Sequence, residues 1–203
     1  MKPIGAMKTR DGILATALRL FNESGTGAVS TNHIAEAFSI SPGNLYYHFR
    51  NKEAIIRELF EQQFDQADHL YAFPDNRLPN LDDLRGLVSA TFAMNWDYRF
   101  IFRELIVLLR RDADLQQRWG EVRQRGFDGF HELVETFVSA GVLRAPTDAD
   151  EVTRLAELCW LIAEYWVPSL EIAGHKVDTH HINRGVELML QVLAPYIISP
   201  DQP

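Results

Sequence analysis

At 203 residues, 46% of them hydrophobic, the chain is long enough to bury a core as one large domain or two small ones, and it is neither disordered nor fibrous. The formal net charge of -8 is unevenly spread: the first 52 residues hold six Lys or Arg against three acids, while the remaining 151 hold fourteen against twenty-five, so the head is the part that meets an anion. One cysteine, Cys159, excludes an internal disulfide framework, and neither eighteen consecutive apolar residues nor a signal-peptide core occurs, so a cytoplasmic protein that does not enter a membrane is expected.

Apolar residues recur at intervals of three and four, which predicts an all-α fold. Ile13, Leu14, Ala17, Leu18 and Phe21 mark a first helix over 9–24, stopped by Gly25. A short second helix starts at Ser30 or Thr31 and turns Ile34, Ala35 and Phe38 inward. Ser41 caps a third, with Pro42 at its first position, where a missing N–H costs nothing. Asn51 caps a fourth over 52–71, ended by the breaker FPDNRLPN. Five more follow near 80–95, 97–111, 113–140, 148–173 and 179–197, separated by signals such as GVLRAPTDAD and AGHKVDT, for about nine in all.

The second and third helices are short and joined by a turn of three or four residues around Ser39 to Ser41, the layout of a helix-turn-helix whose second helix enters the DNA major groove. That layout explains the stretch SPGNLYYHF, which holds more aromatics than a solvated loop would. Gly43 lets the helix start approach a duplex. Asn44 and Tyr47 can face base edges, and Thr31, Tyr46, His48 and Lys52 can serve phosphates on either side. Leu45 and Phe49, four apart, face inward. Lys8 and Arg10 are either flexible charges or further backbone contacts.

From TRDGILATALRLFNESG through STNHIAEAFSISPGNLYYHFRNKEAI the sequence resembles the TetR family of bacterial transcriptional regulators, with Thr31, Ile34, Ala35, Ser41, Gly43, Leu45, Tyr46, Phe49 and Lys52 in the family's order. Two positions depart from the usual pattern: Phe38 stands where Ala is usual and Ser39 where Gly is usual. The resemblance implies a three-helix DNA-binding domain over 1–52 with the fourth helix as connector, and a helical ligand-binding and dimerisation domain over 72–203. It further implies a homodimer formed by the last two helices, a double-stranded operator and a small-molecule effector. KTRDGIL, SISPGNLYYHF and YRFIFREL are also similar to regulators of polyhydroxyalkanoate metabolism, which implies a fatty-acid-derived effector.

Aromatics crowd the second half, and an interhelical cavity lined by Phe92, Trp96, Phe100, Trp119, Phe130, Trp160 and Trp166 would take a mainly apolar molecule. Arg99 or Arg103 is the candidate partner for its acidic group. For any one of these aromatics ordinary core packing is the competing reading. The stripe Ile182, Val186, Met189, Leu190, Leu193 and Ile197, together with Leu155 to Leu170, which is apolar on more than one face, reads as a four-helix dimer surface. His175, His180 and His181 lack metal-ligand spacing, so neither metal nor cofactor is expected. The rival reading, an all-α enzyme or lipid-binding carrier with an incidental helix-turn-helix, finds no G-x-S-x-G, P-loop or H-E-x-x-H to rest on.

Overall fold

The computed structural model describes residues 4–70 and 77–198; the expected end of the fourth helix at residue 71 and the first part of FPDNRLPN lie outside the described residues, as does the side chain of Lys8. Among the described residues the order is α1 (Ile4–Ala28), α2 (Thr31–Ala37), α3 (Pro42–His48), α4 (Lys52–Leu70), α5 (Leu81–Asp97), α6 (Arg99–Arg111), α7 (Ala113–Ser139), α8 (Ala149–Ile172) and α9 (Thr179–Leu193). None is long and apolar enough to cross a membrane. Gly25 breaks α1 as expected, at φ 77 and ψ 158, a region open essentially to glycine alone. One more helical turn follows the break.

The chain packs as two compact units, Met1–Asp65 with Asp97–Leu115, and Gln66–Trp96 with Gln116–Pro203. This differs from the expected division at residue 52, because α6 belongs to the first unit. Its Phe100 is fully buried, with the ring 5.4 Å from Phe21 of α1 and 6.4 Å from Phe60 of α4. Around these rings close Ile13, Leu14 and Ala17 of α1, Ile34 of α2, Leu45 of α3, and Ile55 and Leu59 of α4. Each large side chain so buried stabilises by about 1.5–3 kcal/mol relative to exposure. Arg10 is not a loose charge: it pairs with Glu58 at 2.5 Å and lies 4.8 Å above the Phe49 ring, tying α1 to α4. Arg57 forks onto Asp112 at 2.6 and 2.7 Å, a geometry that holds the Asp112 carboxyl below its ordinary range.

In the second unit Leu84, Val88 and Phe92 of α5, Phe137 of α7, Leu155 of α8, and Met189 and Leu193 of α9 form one core. The stripe on α9 that reads as a dimer surface therefore points into its own unit, with Ile182, Val186, Leu190 and Ile197 packed around the same core and Leu193 only 5% exposed. A stripe specifies that a face is buried, not what buries it. Gly185 permits the approach: a methyl group there would lie 2.4 Å from Phe92 and 2.5 Å from Trp166. In this unit α8 leaves Leu158, Leu161, Tyr165 and Ile172 in solvent, and Leu78 and Ile198 are exposed outside the helices.

The last helix stops at Leu193, short of the expected 197, because Pro195 brings no N–H to continue it. A 3-10 turn over Ala194–Tyr196 follows. An antiparallel bridge then pairs Ile197 with Leu143, flanked by Arg144 N donating to Tyr196 O at 2.7 Å and Ile198 N to Val142 O at 2.9 Å.

Candidate nucleic-acid interface

Local caps build the first unit's exposed edge. Ser30 caps α2: its hydroxyl accepts from His33 N, and His33 Nδ1 accepts from Ser30 N in return. Thr31, one residue further on, is free of capping and meets the Tyr46 hydroxyl at 3.1 Å, linking α2 to α3. Ser41 caps α3 through Asn44 N, Pro42 occupies its first position, and Asn51 caps α4 through Ala54 N at 2.9 Å.

The turn between α2 and α3 resolves both departures from the usual pattern. Ser39 adopts φ 58, the left-handed conformation for which glycine is usual; the geometry is retained and a Cβ is carried in it. The Phe38 ring lies over α1 where Gly12 offers no side chain, so close that a methyl group on Gly12 would sit 2.3 Å from the ring. A larger residue at 38 is accommodated by a smaller one at 12.

With Leu45 and Phe49 buried, α3 turns Pro42, Gly43, Asn44, Tyr46 and Tyr47 to solvent. Tyr47 is 79% exposed, its ring edge-on to the half-buried His48 at 5.2 Å. Nothing but the Ser41 hydroxyl, 4.0 Å away, approaches the position a Gly43 side chain would take, so no internal packing accounts for that glycine. Lys52 is half-buried, and its ammonium donates to Thr26 O at 2.6 Å and Val29 O at 3.0 Å. Two of its three donors thus serve the end of α1, an interaction sequence reasoning missed because the partners are backbone atoms. Beside it residues 27–31, Tyr46, Arg50, Asn51 and Lys52 line an open depression of about 360 Å³. Arg50 was likewise not singled out from sequence.

The family described as "Bacterial regulatory proteins, tetR family" matches residues 13–59, and that described as TetR, "Bacterial transcriptional repressor", matches residues 60–202. The chain belongs to the TetR family. It is 25% identical over 186 residues to the HTH-type transcriptional repressor KstR2 of Mycolicibacterium smegmatis, spanning 85% of this chain and 86% of that one. The HTH-type transcriptional regulator UidR of Escherichia coli is 40% identical over 62 residues, 30% of this chain and 32% of its own. A solved TetR-family transcriptional regulator from Marinobacter aquaeolei VT8 superposes with a TM-score of 0.84 at 34% identity, covering 95% of this chain and 92% of that one. This TetR-family protein is a DNA-binding transcriptional regulator; the rival enzyme or carrier reading has no counterpart among these relatives.

The residues expected to line an effector cavity fall into both units. Phe100 has no open ring face in the first unit's core, and Arg103 Nη1 donates to Asn22 O at 2.6 Å. Arg99 is in the same unit. Phe92 is buried against Gly185, and Trp166 Nε1 donates to His181 O at 2.7 Å, so both serve the packing of α9. Trp96 and Trp119 are half-buried in the second unit, on α5 and α7. Between α7 and α8, Trp160 stacks on Phe127 at 4.4 Å with Phe130 at 6.0 Å. Arg123 lies 5.6 Å from the Phe127 ring centre and pairs with Glu164 at 2.7 Å. Burial pushes the Glu164 carboxyl up, against the opposing pull of Arg123. Sequence reasoning passed over Arg123; its spacing of four from Phe127 on one helix was the available signal. Burial also pushes the Cys159 thiol up to about 12, leaving it inert. His181 Nδ1 meets Asp178 at 2.7 Å, and among the described residues no cluster of His, Cys, Asp or Glu is arranged to hold a metal.

The conformation of Ser39 generates a direct test. A side chain in the left-handed region costs roughly 1–2 kcal/mol, and the extra freedom of glycine in the unfolded chain returns about 0.5–1 kcal/mol of that. Ser39→Gly should therefore stabilise by about 0.5–1 kcal/mol in urea unfolding, and a loss of stability would contradict this account of the turn.

Proposed function

We propose that this regulator represses transcription by binding a near-palindromic operator as a dimer, with α3 in the major groove, and leaves it on binding a mainly apolar, acidic small molecule. The observation that carries the DNA reading is the exposed face of α3, where Asn44 and Tyr47 stand clear of any internal role on the less acidic end of the chain. Thr31, Pro42, Gly43, Tyr46, His48 and Lys52 surround them as backbone contacts. Such a protein performs no chemistry on its ligand and is not an enzyme. Replacing Tyr47 by Ala should cost about 1–3 kcal/mol against the operator and flatten base preference at the facing position. Unchanged preference in binding to a panel of single-base operator variants would remove Tyr47 from the reading set.

Within the expected pairing of the last two helices, α8 supplies the exposed apolar face, while the α9 stripe packs largely into its own unit. Leu158, Leu161, Tyr165 and Ile172, the last 86% exposed, follow at intervals of three, four and seven along one face, and a two-fold axis sets such a stripe against its own copy. Leu161→Glu should yield folded monomers that no longer hold the operator, whereas Leu193→Glu should unfold the second unit. A monomeric wild type in light scattering at micromolar concentration would refute the pairing.

For the effector, Trp160, Phe127 and Phe130 supply apolar surface and Arg123 a cation whose partner is a carboxyl with a raised pKa. An incoming carboxylate that takes over Arg123 lets Glu164 accept a proton, so binding should strengthen as pH is lowered. Long-chain acyl compounds fit this chemistry. They should raise the melting temperature, as a ligand of the native state does, and release the operator; Arg123→Gln should weaken the response to the acid by about tenfold and to its neutral ester less. A panel of fatty acids and acyl-CoA compounds that neither stabilises the protein nor affects operator binding would refute the acyl assignment and leave the DNA reading standing.

A further inference from the structure

The last turns of α1 are held by side chains from two other helices. Asn22 Nδ2 donates to Asp97 O at 2.7 Å and its Oδ1 accepts from Phe100 N at 3.0 Å, giving α6 the N-terminal cap that its own Tyr98 does not provide. Arg103 answers from α6 with its bond to Asn22 O. Glu104, one residue on, takes the groups exposed by the break at Gly25: Oε1 accepts from Thr26 N at 2.8 Å, and Oε2 accepts from the Thr26 hydroxyl. A methyl group on Gly25 would lie 2.7 Å from Glu104 Oε1, so the glycine is needed for the approach as well as for its φ. On the other side of the same residue, Thr26 O accepts from Lys52 Nζ at 2.6 Å.

We propose that Glu104 is a positioning residue for operator binding, acting through Thr26 to place Lys52 and the depression formed by residues 27–31, Tyr46, Arg50 and Asn51 where a DNA phosphate seats. The inference rests on the DNA-binding reading above. Thr26 is gripped by α6 at its N–H and hydroxyl and by Lys52 at its carbonyl, so a displacement of Glu104 passes through one residue to the ammonium. Charge alone predicts the opposite sign: removing a carboxylate from an acidic chain favours association with a polyanion. Positioning predicts that its removal weakens binding.

The test is operator affinity measured over a salt series for the full-length wild type, Glu104→Ala, Glu104→Gln, Lys52→Ala and the double variant Glu104→Ala/Lys52→Ala. Glu104→Ala should bind about tenfold more weakly, with the salt slope reduced by about one as in Lys52→Ala. Glu104→Gln should recover most of the loss, since its amide oxygen still accepts from Thr26 N, and the double variant should be no weaker than Lys52→Ala. If Glu104→Ala does not fold, Thr26→Val, which loses only the hydroxyl bond, should show a severalfold loss in its place. A folded Glu104→Ala, or failing that Thr26→Val, that binds as tightly as the wild type with an unchanged slope would overturn the proposal. A wild type that binds no operator would overturn the DNA reading itself.

Discussion

The arrangement depends on how the end of α1 is satisfied. A helix terminus leaves backbone groups without partners, and here they are met by side chains distant in sequence: Arg103 on Asn22 O, Glu104 on Thr26 N, and Lys52 on Thr26 O and Val29 O. The chain can then break at Gly25 and turn into α2 without burying an unpaired peptide group, which would cost about 1–3 kcal/mol. These donors and acceptors come from the start of α4 and from α6, so α6 helps to fix where α1 ends and α2 begins.

The helix-turn-helix was legible in the sequence because its determinants are local. Ser30, Ser41 and Asn51 cap helices that start within a residue of where each is found, Leu45 and Phe49 are four apart and both buried, and Gly25 breaks α1. Where partners are distant, the pattern was silent. The α9 stripe is periodic and apolar, yet nothing in its spacing distinguishes a partner subunit from Phe92 and Phe137 of its own unit. Arg103 reads as a free cation in sequence but serves a backbone carbonyl, and Phe100 reads as cavity lining but fills the space between Phe21 and Phe60. In each case residue type and period specify burial or charge, and tertiary packing supplies the partner.

The same division applies to the candidate sites. On α3, residues with no internal work, such as Asn44 and Tyr47, stand out because local geometry decides which way they face. Around Trp160 the aromatic stack and the Arg123–Glu164 pair are brought together from residues 41 apart on two helices, and the sequence offered only a surplus of aromatics. In the proposed function, DNA reading falls to a face legible from short motifs, and effector binding to side chains that only packing brings together.

The central claim is that a dimer reads DNA through two copies of α3, and selection of binding sites from a random DNA pool by the purified full-length protein tests it most directly. The account predicts an enriched motif with two-fold symmetry whose half-site centres lie about 34–36 Å, one helical turn, or a multiple of that apart. An asymmetric motif, or a pool that retains no sequence preference after repeated rounds, would contradict it.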